Sequence, residues 1–150
     1  MKPAAFVASM ALAFVAGYGV SHWLPDARAA ETMMPQILRV PELAGDALGP
    51  AAPLTGLRSK TFVAADGMTV SVQTGNVPKH MHPNTNEIQY ILEGTGTIWL
   101  GDKEVRVQPG DLVVIPKGTP HGGTKPDSGV FKAIAIKTPP QAPDDTKMLQ

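Results

Sequence analysis

An all-β fold, a sandwich or a barrel, is predicted for this chain by three observations. Short apolar runs recur at close intervals, glycine, proline and aspartate separate them, and no stretch carries a convincing helical period. The first pair is residues 60–65 and 68–74, joined by Asp66-Gly67, a dipeptide that tolerates the positive φ of a two-residue hairpin turn. Further strands are expected at 87–92, 96–100, 104–107, 111–115 and 130–137. Strand alternation puts Glu87, Gln89 and Ile91 on one face of the 87–92 run and Ile88, Tyr90 and Leu92 on the other. Ahead of the strands, Pro35, Pro41, Pro50 and Pro53 break residues 30–59 into an irregular arm, expected to pack across the barrel or a partner subunit. Residues 138–150, with three prolines and a pair of aspartates, read as an irregular tail.

A chain of 150 residues makes one domain with room for a real core. Its 13 basic and 13 acidic residues balance, and no arginine-rich stripe or dense basic cluster gives a nucleic-acid partner electrostatic support. There is no cysteine, which removes disulfides, thiol nucleophiles, iron-sulfur clusters and thiolate zinc sites.

Residues 1–29 differ in kind. Lys2 precedes an apolar run over 4–20, and Ala27-Arg28-Ala29 puts small residues at minus three and minus one, the layout of a secretory signal peptide cut after Ala29. Export to a bacterial periplasm, or secretion, is the expectation. The alternative is an uncleaved N-terminal anchor, the one circumstance in which a membrane is a partner. Removing these residues takes away Lys2, Arg28 and Asp26 and leaves a nearly neutral chain.

The chain has four histidines, and His22 falls in the leader. The other three stand with a carboxylate in a pattern that suits a metal. His80 and His82 are two apart, so an extended backbone projects both imidazoles from one face. Glu87 opens the next apolar run, and His121 follows a loop punctuated by glycine and proline. One isolated histidine is ordinarily a satisfied surface or core residue, and Glu87 alone reads as a solvated strand-start carboxylate. Together, three neutral nitrogens and one carboxylate oxygen suit a divalent transition metal: Fe, Mn, Ni, Cu, Co or Zn. Gln89 shares the inward face with Glu87 and needs partners there, as a support for a ligand or a contact to substrate. Tyr90 and Trp99 read as packing residues of a strand pair, at the core or at a subunit contact.

Two stretches carry a family resemblance. Residues 75–94 read GNVPKHMHPNTNEIQYILEG and residues 110–121 read GDLVVIPKGTPH, with a short hairpin-like segment, 95–109, between them. A glycine, a His-x-His pair, a glutamate about five residues on and a closing glycine, followed by glycine, strand, Pro-x-Gly and histidine, resemble the two signatures of the cupins, in their small single-domain form. The spacing from Gly75 to His80 is one residue shorter than the commonest pattern. Lys125, preceded by Thr124, stands where an asparagine often follows the last histidine.

The resemblance implies a double-stranded β-helix, the jelly-roll cupin barrel, over residues 60–137. It implies His80, His82, Glu87 and His121 as metal ligands and permits Glu87 to act as a base. It allows several chemistries: oxygenation of flavonols, thiols or diketones, isomerisation, lyase reactions and ligand sensing. The leading expectation is a metal-dependent, dioxygenase-like enzyme acting on a small oxygen-bearing organic substrate. The alternative is a non-catalytic cupin that binds or senses a metal or small ligand, favoured by the scarcity of further inward acids and bases in the strands. The apolar outward residues Ile88, Tyr90 and Leu92 need cover, which a homodimer or the chain's own arm would supply.

Overall fold

The computed structural model describes residues 32–43 and 45–150. The expected signal segment, residues 1–29, lies outside the described residues. Among the described residues ten strands form in chain order: β1 Arg58–Ala65, β2 Met68–Thr74, β3 His80–Met81, β4 Asn86–Glu93, β5 Gly96–Leu100, β6 Lys103–Val107, β7 Leu112–Ile115, β8 His121–Pro126, β9 Lys132–Thr138 and β10 Lys147–Met148. They build two five-stranded sheets, ordered β1-β2-β9-β4-β7 and β10-β3-β8-β5-β6. Every pairing is antiparallel. This is a double-stranded β-helix, with the two sheets facing each other across a shared interior.

The hairpin cue at Asp66-Gly67 is realised, with φ of 50° and 73° at its two residues. Three strands were not expected. β3 and β10 have two residues each, too short to show a period. β8 reads HGGTKP, a composition that suggests a turn. The tail is therefore not irregular throughout, since β10 pairs with β3. The arm also departs from the irregular expectation. It holds two 3-10 turns, Val40–Glu42 and Gly45–Leu48, the second of which packs on β1 and β2. Leu48 there is 1% exposed, and Val72, on the face of β2 opposite the inward Gln73, is 2% exposed. The arm thus covers the outer face of the first sheet where it would otherwise meet water.

The core joins Ile91, Ile98, Val107, Val113, Ile115, Phe131 and Ala133, with Leu100 and Val105 against it. These residues come from both sheets, and their burial supplies the main cohesion between the layers. The inner face of β4 runs from this core at Ile91, through Gln89, to Glu87. The alternation read from sequence is present: Tyr90 is 43% exposed while Glu87 and Ile91 are buried.

Candidate metal centre

β3 and β8 meet at one register pair, His80 opposite His121. Their ring centroids are 4.3 Å apart, and the His82 ring stands 5.1 Å from each. All three residues are buried, and their ligand nitrogens lie within 4.8 Å of one another. The Nδ1 of each ring is occupied by a backbone carbonyl: Pro78 at 2.8 Å from His80, Asp145 at 2.7 Å from His82 and Thr119 at 2.9 Å from His121. A carbonyl only accepts, so each Nδ1 donates, and in the neutral ring the lone pair is left on Nε2. The rings are held in the tautomer that ligates metal.

Gly122 permits this arrangement. Its φ is +83°, and a Cβ built on it would stand 2.6 Å from the Pro78 oxygen and 3.0 Å from His80 Nδ1. Any side chain there would intrude on the hydrogen bond that orients His80.

Glu87 completes the polar cluster. Its Oε2 lies 3.2 Å from His82 Nε2 and 3.5 Å from His121 Nε2, while Oε1 accepts a 2.8 Å hydrogen bond from Gln89 Nε2. With both rings neutral, lone pairs of a carboxylate and two imidazoles point at one another in a buried place, an arrangement that calls for a cation between them. Glu87 Oε2 and His121 Nε2 have no hydrogen-bond partner, and a divalent ion would satisfy both. The donor set fits the group, and the three histidines can hold a divalent transition metal.

The electrostatics agree with that use. Burial, then the closeness of the His121 ring, pushes the His80 pKa from 6.5 down to about 4, leaving the neutral, ligating form at physiological pH. Burial would raise the Glu87 carboxyl. Interactions with His121 and His82, the Lys137 charge and the Gln89 amide outweigh it and hold the group well below the usual carboxylate range.

Several functional residues were not read from the sequence. Lys137 on β9 lies opposite Glu87 in register, and its Nζ is 3.7 Å from Glu87 Oε2 and 3.5 Å from His82 Nε2. Asp145 in the tail holds His82 through its carbonyl, and its Oδ1 accepts from the backbone and side-chain nitrogens of Asn84 at 2.9 and 3.0 Å. Burial opposes ionisation of that carboxyl, but hydrogen bonds from Thr85 and Asn84 lower its pKa on balance. Gln73 and Thr124 also face the interior. Lys125, at the position where the family pattern often has asparagine, points away and pairs with Glu104. Trp99 packs on the outside beneath Lys79, whose Nζ is 3.7 Å from the ring centroid.

The metal cluster forms one end of a cavity of about 370 Å³. Ile91, Ile98, Phe131 and Ala133 make its apolar wall, and the arm at 52–57 and the tail at 141–146 form its rim. Its volume and its few convergent polar groups suit a small organic molecule.

Residues 62–137 match the Cupin domain family. The chain is 30% identical over 95 residues to quercetin 2,3-dioxygenase of Bacillus subtilis, covering 57% of this chain and 28% of that protein. It is 36% identical over 63 residues to acireductone dioxygenase of Xenopus tropicalis, covering 39% of this chain and 35% of that one. The chain thus spans about a third of the length of these two curated relatives. Among solved structures, a conserved protein with a double-stranded beta-helix domain from Klebsiella pneumoniae superposes with a TM-score of 0.58 at 15% identity, covering 78% of this chain and 99% of that one.

Proposed function

The chain belongs to the Cupin domain family, and from that membership we propose that it is a metal-dependent, dioxygenase-type enzyme acting on a small oxygen-bearing organic substrate. The observation that carries the proposal is the convergence of three Nε2 lone pairs and the unpartnered Glu87 Oε2 at the polar end of an open cavity. A closed structural site would have no such space beside it. The dioxygenase names of two relatives supply the reaction class.

On this reading His80, His82, His121 and Glu87 are the ligands of a divalent transition metal, which supplies Lewis acidity and a path for electrons between substrate and dioxygen. Glu87 is also the base: once it leaves the metal, its Oε2 is able to receive a proton from a bound hydroxyl or enol. Gln89 donates to Oε1 and so fixes which carboxylate oxygen faces the cavity. Ile91, Ile98 and Phe131 hold the body of the substrate and exclude water from it. The sensor alternative drew on a scarcity of inward acids and bases, and Lys137 supplies one such group that the sequence did not point to.

The test is to load the protein with Fe(II), Ni(II), Cu(II) and Mn(II) in turn and record oxygen uptake with a panel of flavonols and enolisable diketones. Uptake with at least one metal is expected, with loss in His80→Ala and His121→Ala. Wild-type metal content no higher than in those variants would sink the metal reading, and ligand binding without uptake under any metal would favour the sensor.

Export and self-association belong to the same proposal. The leader pattern over 1–29 supports passage to the periplasm, checked by fractionation and N-terminal sequencing. A mature chain starting at Ala30 is expected, and a full-length membrane-bound chain would favour the anchor. Exposed Tyr90, Leu112 (62%) and Val114 (57%) on neighbouring strands β4 and β7 support a homodimer. Sedimentation of wild type and Leu112→Lys, with only the variant monomeric, is the expected outcome.

A further inference from the structure

We infer that Lys137 selects for substrates carrying an ionised oxygen, a carboxylate or an enolate, attached to an apolar or aromatic body. The inference deepens the proposed function and rests on its metal reading. Among the described residues lining the cavity, Lys137 is the one with a fixed positive charge. Its side chain is only 12% exposed, and a cation that has given up so much hydration needs compensation.

Inside the cavity that compensation comes from His82 Nε2, 3.5 Å away, from Glu87, 3.7 Å away, and from the carboxamide oxygen of Gln141. Glu87 is the smaller part of it once a metal is bound. Three neutral histidines, one carboxylate, a divalent ion and Lys137 sum to an excess of two positive charges at the polar end of the cavity. A neutral substrate leaves that excess buried, whereas an anionic oxygen beside both the metal and the ammonium reduces it.

Position and anchoring favour the same assignment. Lys137 is a β9 residue opposite Glu87 in the β4–β9 register, so the strand pair fixes its Cα relative to the ligands. Gln141 holds the ammonium on one side, and in turn donates a 2.7 Å hydrogen bond to Thr146 Oγ1 in the tail. An ammonium tied back in this way keeps its charge near the metal and has further N–H donors for a ligand. Beyond it, Phe131, Ile91 and Ile98 line the cavity with carbon, which dictates an apolar body behind the charged oxygen.

The test uses Co(II)-loaded wild type, Lys137→Arg, Lys137→Gln and Lys137→Met, titrated calorimetrically with benzoate and with its neutral isostere benzamide, while the visible Co(II) spectrum reports the metal environment. Wild type and Lys137→Arg should bind benzoate at least about tenfold more tightly than Lys137→Gln and Lys137→Met. Benzamide affinity should change by less than about twofold across the set, since a neutral amide gains little from a fixed charge. Full Co(II) loading with equal benzoate affinity in all four proteins overturns the role of Lys137 and leaves the metal site standing. Failure of wild type to take up Co(II) overturns the metal reading, and this inference with it.

Discussion

Gly122 lies directly against His80, so close that a Cβ on the glycine would stand 3.0 Å from the imidazole Nδ1. The ring keeps its orientation because β8 offers no side chain at that point. Gly122→Ala should push the ring off the Pro78 carbonyl and strain the backbone at φ +83°. Metal affinity, read by competition with a chromogenic chelator, should fall roughly 10- to 100-fold. Affinity within a factor of two of wild type would show that His80 does not depend on this packing.

Glu87→Gln removes the one carboxylate of the cluster while keeping its volume. The three imidazoles remain, so metal should still bind, more weakly by a factor on the order of 10 to 100. Elemental analysis after dialysis against a mild chelator should show loss of metal from the variant and retention by wild type. Equal retention would mean that Glu87 is not a ligand.

Asp145→Ala cuts the side-chain ties to Asn84 and Thr85 that seat the tail, and so loosens the carbonyl holding His82 Nδ1. A metal affinity lower by roughly tenfold is expected, with the far-ultraviolet dichroism of the barrel unchanged. Loss of the β-sheet spectrum would instead make Asp145 a determinant of the whole fold.

Acid should destabilise the metal-free protein. His80 titrates near 4 in the fold and near 6.5 when ordinarily hydrated, so the unfolded chain takes up that proton first as pH falls. Stability is undiminished above about 6.5, declines below it, and by pH 4 the loss from this residue is roughly 3 kcal/mol. Glu87, whose carboxyl is held low, favours the fold above its usual 4.5 and withdraws that support as pH falls further. Thermal unfolding in chelator should shift to lower temperature between pH 7 and pH 4.5. An unchanged midpoint would contradict the His80 assignment.

The sequence made the ligands legible because their chemistry is local. His80 and His82 are separated by one residue, and Glu87 begins an alternation that also aims Gln89 inward. Lys137 was hidden by an ordinary expectation, that a lysine ending a strand points to water. Its parity with Ala133 and Ala135, both buried, carried the signal. Asp145 could not be found in the same way, because its partner is 63 residues away and a carbonyl donates nothing to a motif. β3 and β10 depend on pairing with each other, and a two-residue strand has no period to read. The arm's cover of β2 has the same origin, since Leu48 gains its meaning only from what it packs on.

The brace on His82 also sets an order of assembly. β9, the last strand of the first sheet along the chain, ends before residue 145. Every pairing of that sheet lies within residues 58–138, so it can form while the His82 imidazole is still unbraced. The third nitrogen is fixed only when the tail lies down beside β3, so the site is finished by residues that the first sheet does not need.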